Sequence, residues 1–348
     1  MSHAQIRAAA SAGKTVAVYG AYGHTAGFVI DELLRRGLVP RLCGRDAAKL
    51  AELADAYPHL QRCQASIEDP QALDRMLQGA VAVLNCAGPF LDTAAPVLEA
   101  ALRAGLPYLD LCAEQGAVLD LAADYDEQAR AAGIVAIPAM AFFGGLADLL
   151  TTAALGGASD ADAVEIAVAL DRWHPTLGTR VTGQRNQRPR LVIADGRLAP
   201  LAQPPAAREW TFPPPFGAQA TLALPFSEIA TLSRHLRCAQ VDSYMNLTAV
   251  QDVRDPGTPT PAAVDESGRS AQRYVVDVQV RRHGRSYRAT AQGQDIYAVS
   301  APLIVEALVR ILDSRAKAVG VVAPGQAFDA ADFLTSLTAL EWTLDQNP

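Results

Sequence analysis

Gly20-Ala21-Tyr22-Gly23-His24-Thr25-Ala26-Gly27 has the residue types and spacing of a turn that holds a phosphate group. Gly20 permits a tight turn. Gly23, lacking Cβ, lets backbone come close to a diphosphate that rests on the N–H groups of a helix start, with Tyr22, His24 and Thr25 in the same stretch. Ala26 stands where a third small residue packs against a sheet. The spacing is GxxGxxA rather than GxGxxG, so its meaning depends on a strand before it and a helix after it.

Twenty-five residues beyond Gly20, Leu42-Cys43-Gly44-Arg45-Asp46 places Gly44 and an arginine where a carboxylate would hold a ribose 2′-hydroxyl. The planar fork of Arg45 suits a 2′-phosphate, so NADP(H) is expected in preference to NAD(H). Asp46 reads as a helix N-cap and Lys49 as a solvated lysine on that helix. In Asn85-Cys86-Ala87-Gly88-Pro89-Phe90 the small residues Ala87, Gly88 and Pro89 let backbone pass close to a nicotinamide ribose. Asn85 either offers an amide there or caps a turn.

These segments need elements to position them, and the hydrophobic pattern supplies the elements. Thr15–Tyr19, Val39–Cys43, Leu60–Ala65, Val81–Ala87, Tyr108–Cys112 and Ile134–Pro138 read as strands. Thr25–Arg36, Asp46–Ala56, Pro70–Leu77, Thr93–Ala104 and Leu119–Ala132 read as the helices between them. Such alternation implies right-handed crossovers and a parallel sheet covered on both faces, a doubly wound α/β (Rossmann) domain over residues 1–142. Beyond it the rhythm changes. After a helix at Leu146–Leu155, the stretches Val164–Leu170, Arg190–Ile193, Ala220–Leu224, Tyr274–Arg282 and Ser286–Gln292 predict a second α+β domain, residues 143–294, with a mainly antiparallel sheet. Pro200–Pro215 and Arg254–Ser267 read as loops. Residues 295–348, with the amphipathic helix Ala301–Arg315, are expected to return to the first domain.

At this point the sequence resembles the saccharopine dehydrogenase-like oxidoreductases. The family's G-A-x-G-x-T-G turn, G-R strand end, N-C-A-G-P-F-like segment and Y-x-D strand end are matched, in order, by Gly20–Ala26, Gly44-Arg45, Asn85–Phe90 and Tyr108-Leu109-Asp110, across roughly the first 140 residues. The resemblance implies a Rossmann domain joined to a substrate domain, NADP(H) or NAD(H), and chemistry on C=N bonds, or on C=C bonds in the trans-acting enoyl reductase branch. The G-x-x-G turn brings this chain nearer that branch than saccharopine reductase itself. Relatives that use amino acids carry a D-P-G-like turn where this chain reads Ala139–Asp148, which argues against an amino-acid substrate.

Hydride chemistry belongs to the cofactor, so the protein must position a substrate, exclude water and supply a proton. His174, following a strand, is the histidine best placed for acid catalysis, with Trp173 as a wall; a structural histidine is the alternative. Tyr108 and Asp110, at a carboxyl strand end with Glu114, are further catalytic candidates. Arg180 and Arg185, in a run with Arg188 and Arg190, either capture an anionic substrate or are solvated and paired with acids. Phe143 and Gly144 either bind substrate, through backbone N–H groups, or form an interdomain hinge. Tyr297 falls near the domain junction.

Composition sets the outer bounds. The chain has 348 residues, 50% apolar, with a formal net charge of −7, which excludes a surface built to grip nucleic acid or anionic lipid as a whole. Five scattered cysteines without CxxC spacing argue against structural zinc or a disulfide framework, so no metal is expected. Met1 to Lys14 has no continuous apolar core, and no apolar run reaches membrane-spanning length; a cytoplasmic protein is expected. A small-molecule substrate and a homodimer through the second domain complete the reading. A nucleotide-binding sensor or scaffold without turnover is the alternative.

Overall fold

A computed structural model describes residues 13–347. Residues 1–12, the start of the expected first domain and most of the Met1–Lys14 stretch, and Pro348 lie outside the described residues.

Among the described residues, seven strands form one parallel sheet: β1 (Thr15–Tyr19), β2 (Val39–Gly44), β3 (Arg62–Gln64), β4 (Ala82–Asn85), β5 (Tyr108–Asp110), β6 (Val135–Ile137) and β15 (Gly320–Val321), in the order β15-β6-β5-β4-β1-β2-β3. Central strands such as β4, buried at every residue, read as continuous apolar runs because helices cover both faces. The order reverses at β1: β2 pairs with it on one side and β4 on the other. That reversal opens a crevice at the carboxyl ends of these two strands, where ligands of such sheets bind. The helices between the strands are α1 (His24–Arg35), α2 (Ala47–Glu52), α3 (Pro70–Leu77), α4 (Phe90–Ala104) and α5 (Gln115–Ala131). α1 buries Ala26, Val29, Ile30 and Leu33 on one face, at the three- and four-residue spacing that its sequence carries.

The second sheet is mixed. Its main path runs β10 (Ala207–Thr211), β11 (Ala218–Ala223), β12 (Arg237–Asn246), β7 (Asp160–Leu170), β13 (Arg273–Arg282), β14 (Arg285–Gln294) and β16 (Leu340–Asn347), with the hairpin β8 (Leu191–Ala194) and β9 (Arg197–Pro200) attached to β12. Most pairs are antiparallel, as expected, but β12 and β7 run parallel at its centre. β12 escaped the sequence reading because its alternation carries polar residues on one side. β10 lies inside the stretch read as a proline-rich loop, where Trp210 supplies the buried anchor.

Two helices join the sheets: α6 (Gly145–Leu155) and α10 (Ser300–Leu312), each buried along almost its whole length. α10 packs on α1, and Glu306 of α10 pairs with Arg36 at 2.9 Å and Arg310 at 2.7 Å. The C-terminal segment therefore returns to the first sheet through α10 and β15, and it then does something the expectation of a helical return left out. It ends as β16, an edge strand of the second sheet beside β14. Between them lie α11 (Pro324–Ala327) and α12 (Ala330–Ser336), both packed on α6. The remaining described helices are α7 (Leu177–Arg185), α8 (Ser227–Leu232) and α9 (Leu247–Arg254). Among the described residues no helix is long and apolar enough to cross a membrane.

A buried ion pair holds the segment between α8 and β12 to α6, and the same carboxylate receives α11. His235 Nε2 lies 3.0 Å from Asp148 Oδ2, and Asp148 Oδ1 accepts the Gly325 N–H at 2.7 Å. Burial works against a charged imidazole, but the Asp148 carboxylate outweighs it and holds the His235 pKa above 6.5. A histidine raised in this way contributes stability that is fully present below its unfolded pKa and is lost as pH rises through the folded value. The stability difference between wild type and His235→Ala, measured by urea unfolding, should be widest at about pH 6 and narrow above neutrality. A difference independent of pH would show that the pair contributes no charge-dependent stability.

Candidate functional site

The glycine turn is built around a contact between two strand ends. Gly20 has φ +80°, and a Cβ there would lie 2.7 Å from the Cβ of Ala87, so the β1 turn and the β4 end touch with no room for a side chain. The N–H groups of Gly20 and Ala21 both donate to the Cys43 carbonyl, at 2.8 and 3.0 Å. Gly23 is the N-cap of α1; no side chain caps this helix start and no acidic residue occupies its first turn. The N–H groups at His24 and Thr25 are thus left for an anion from outside, at the positive end of the helix.

Gly44 lies beneath Tyr22: a Cβ there would be 2.6 Å from the Tyr22 ring. Arg45 is exposed. Its carbonyl accepts from Gln64 Nε2 at 3.1 Å, and among the described residues its guanidinium has no hydrogen bond or ion pair. Asp46 caps α2 through Ala48 and Lys49 N–H, and the Lys49 ammonium sits 5.6 Å over the Tyr22 ring. The expected cofactor residues Gly20, Tyr22, Gly23, His24, Thr25, Gly44 and Arg45 therefore share one end of the sheet. A dinucleotide fits the chemistry here: two Cβ-free approaches, an uncapped helix start and an unpaired guanidinium.

Asn85, Tyr108 and Asp110 are fully buried and bind one another. Asn85 Nδ2 donates to Thr93 Oγ1 at 3.2 Å and to the Tyr108 hydroxyl at 3.3 Å, while its Oδ1 accepts the Ala87 N–H at 3.0 Å. The Tyr108 hydroxyl donates to Asp110 Oδ2 at 2.7 Å, and Asp110 Oδ1 accepts the N–H groups of Ala139 at 2.7 Å and Cys112 at 2.9 Å. Burial raises the Asp110 carboxyl to about 6, against the lowering effect of those donors. Catalytic roles for Tyr108 and Asp110 require access to substrate, and complete burial denies it. The two instead tie the ends of β4 and β5 to the loop after β6, which holds Ala87, Gly88 and Pro89 in place. Glu114 acts alongside, its Oε1 accepting the Phe90 N–H at the start of α4 at 2.9 Å.

α7 lies over this crevice, and sequence reasoning missed it because none of its residues is buried. A Cβ on Gly88 would come within 2.9 Å of Thr182 Oγ1 on α7. Arg185 pairs with Asp92 at 2.8 Å, Arg188 with Asp120 at 2.8 Å, and Arg180 donates to the carbonyls of Asp255 and Thr258. The expectation that Arg180 and Arg185 capture an anionic substrate asks for free guanidinium groups; both fasten α7 to its surroundings instead. Tyr297 is the second fastening. Its hydroxyl accepts from Trp173 Nε1 at 3.1 Å and Thr176 N–H at 3.2 Å, and it meets Thr179 Oγ1 at 3.0 Å. Its ring meets His24 edge-on at 5.3 Å, so the residue that fastens α7 also touches the glycine turn.

His174 is partly exposed, and its carbonyl accepts from Tyr297 at 3.4 Å. Trp173 is only 3% exposed, so it backs the crevice rather than walling it. Phe143 is half-buried and stacks on Phe226 with ring centres 4.1 Å apart, and Trp173 lies 5.6 Å from Phe143. Phe226, which sequence reasoning missed, lies beneath Arg190 at 4.6 Å; the Pro225-Phe226-Ser227 turn before α8 was its one signal. Gly144 (φ +94°) is buried, a Cβ there would strike Ser227 Oγ at 2.7 Å, and the Gly145 N–H is spent on the Ala139 carbonyl. Gly144 thus serves the sharp reversal into α6, the hinge alternative, and does not offer the next N–H to a substrate.

Residues 16–137 match the family described as saccharopine dehydrogenase NADP binding domain. The first domain is similar to that family. Saccharopine dehydrogenase-like oxidoreductase from Rattus norvegicus is 30% identical over 150 residues, 38% of this chain and 35% of that protein. A probable mitochondrial saccharopine dehydrogenase-like oxidoreductase from Arabidopsis thaliana is 28% identical over 140 residues, 36% of this chain and 31% of that protein. The matches thus span about a third of these relatives. The whole fold resembles apo saccharopine dehydrogenase (L-Glu forming) from Saccharomyces cerevisiae, with TM-score 0.69 and 13% identity over 97% of this chain and 100% of that one. At that identity the likeness is one of fold: a saccharopine dehydrogenase-type Rossmann domain with a second, mixed-sheet domain.

Tyr297→Phe removes the hydroxyl that holds α7 and Trp173. It should cost about 1–2 kcal/mol of stability and raise backbone hydrogen exchange across residues 177–185 well above that of β1. Unchanged exchange in α7 would show that the arginine pairs alone hold it.

Proposed function

We propose that this protein is an NADP(H)-dependent oxidoreductase that reduces a C=N or conjugated C=C bond of a small organic substrate in the crevice between its two domains. The carrying observation is the unpaired Arg45 guanidinium beside an uncapped helix start and two glycines that a side chain would block. In this reading the first turn of α1 receives the diphosphate, Arg45 the 2′-phosphate, and the Asn85–Pro89 segment the nicotinamide ribose. NADPH, when bound, supplies the hydride. The protein's own work is to cover the crevice with α7, to present Phe143 and Phe226 as an apolar face, and to deliver a proton, for which His174 is the partly exposed candidate. Residues 1–142 form the dinucleotide unit and 143–294 the substrate and dimer-forming unit. The reading extends to a homodimer and to the cytoplasm as its compartment. The sealing of Tyr108 and Asp110 favours a second reading, nucleotide binding without turnover.

Arg45→Ala should weaken NADPH by about 1.5–3 kcal/mol, roughly ten- to a hundredfold, and leave NADH nearly unchanged. Titration of both nucleotides by fluorescence measures this; equal losses would remove Arg45 as the phosphate anchor, and binding of neither by the wild type at millimolar concentration would end the enzyme reading. His174→Gln should lower kcat by roughly 10²–10⁴-fold with NADPH affinity intact. Once a reducible substrate is found by a screen of imines and enoyl compounds, stopped-flow oxidation of NADPH tests it. Wild-type activity in the variant would assign the proton elsewhere, and bound NADPH left unoxidised across the whole panel would favour the non-turnover reading.

A further inference from the structure

Arg190 stands apart from the other arginines of its run. Arg185 and Arg188 meet carboxylates and Arg180 is spent on two carbonyls, whereas Arg190 has no ion pair among the described residues. One of its N–H groups donates to the Pro225 carbonyl, and the guanidinium lies 4.6 Å over the Phe226 ring. The next residue fixes its place: the N–H and carbonyl of Leu191 bind the Gln115 side chain, each at 2.8 Å, where β8 meets the start of α5. Arg254, the last residue of α9, is exposed and has neither hydrogen bond nor ion pair among the described residues. Burial first, and the like charge of Arg254 with it, lower the Arg190 pKa against the opposing pull of Glu228. Arg190 thus brings unspent donors to the stacked rings of Phe143 and Phe226, with a second unpaired guanidinium acting on it.

We propose that Arg190 is the specificity residue of the crevice, and that it selects a substrate with a carboxylate on an apolar body and no amino group. This is the substrate class that the proposed reductase would act on, and so it rests on that reading. The planar fork of a guanidinium matches the two oxygens of a carboxylate, and a partly buried setting strengthens the charged hydrogen bonds between them. Phe143 and Phe226, both half-buried, offer the apolar body a surface. A single guanidinium in contact with that stack balances a monoanionic carboxylate rather than a dianionic phosphate, and Arg254 adds attraction from a distance. An ammonium group, by contrast, meets no uncommitted acid among three that flank these residues. Glu228 is buried and its Oε1 accepts the Phe226 N–H at 2.9 Å, Asp252 Oδ2 accepts the Trp173 N–H at 2.7 Å, and Asp255 Oδ1 accepts the Gly257 N–H at 2.8 Å. Asp110 and Glu114 are sealed inside the first domain.

The test is calorimetric titration of the full-length protein, free and loaded with NADP⁺, which cannot supply a hydride. The probes are cinnamate, its neutral counterpart cinnamamide, the zwitterion phenylalanine, and phenyl phosphate. Cinnamate should bind roughly tenfold or more tightly than each of the others, and the preference over cinnamamide should shrink at high salt. Arg190→Gln should erase that preference while leaving NADP⁺ affinity unchanged, and Arg254→Gln, at an exposed position, should reduce it by roughly two- to threefold. Cinnamamide or phenylalanine binding as tightly as cinnamate, phenyl phosphate binding more tightly, or no cinnamate binding at about 10 mM would each overturn the proposal. The comparison of probes on wild-type protein decides this even where a variant fails to fold. Cofactor binding is read in the same titrations, so cinnamate held without any NADP⁺ binding would remove the oxidoreductase reading and leave the carboxylate site in place.

Discussion

The carboxylate of Asp110 is buried at the point where three strand ends must meet. One oxygen gathers the N–H groups of Cys112 and Ala139 and the other takes the Tyr108 hydroxyl, which in turn receives the amide of Asn85. Removing a carboxylate from water is costly unless its lone pairs are met, and here each oxygen is met by donors on a different element. The consequence is positional. β4, β5 and the loop after β6 are held in one relation, and with them the Ala87-Gly88-Pro89 backbone that borders the crevice. Gly20 then fits against Ala87 because neither needs space for more than a methyl group.

The same crevice depends on how the second domain is seated. α6 and α10 are buried along almost their whole length, α6 against the second sheet and α10 against α1 and β5, and their apolar residues share one continuous core. Chain order reinforces this: β15 joins the first sheet and β16, twenty residues later, the second. α7 is held differently. It has no buried apolar face and depends on Tyr297, on Arg180 and on ion pairs from Arg185 and Arg188 to the first domain. Exposed ion pairs of this kind are each worth about 0–1 kcal/mol, so α7 is the cover most easily lifted from the crevice. Elements enclosed by apolar burial set the frame, and one element fastened by polar contacts covers the site.

Legibility in the sequence followed the physics of each element. The first sheet was readable because its strands are short apolar runs separated by helices with one apolar face, and because Gly20, Gly23 and Gly44 are glycines for steric reasons that a motif records. The second sheet was only partly readable. β12 carries polar residues on its solvent side, β10 is embedded among prolines, and β16 follows two short helices. For the candidate chemistry the residue types misled. Tyr108 and Asp110 have the right groups at a strand end, yet a side chain's direction along a three-residue strand is set by the sheet's pleat and by what packs above it.

By itself the sequence determined the dinucleotide-type first domain, the order of its elements and the arginine offered at the end of β2, since all of these rest on local spacing and on the absence of a Cβ at named positions. Only the tertiary structure decided which polar groups remain free. Arg45 is left unpaired while Arg185 and Arg188 are neutralised by Asp92 and Asp120, and Asp110 is turned inward while His174 stays partly open. The reason is that pairing and burial depend on residues dozens to hundreds of positions away, and no local pattern encodes which of them will arrive.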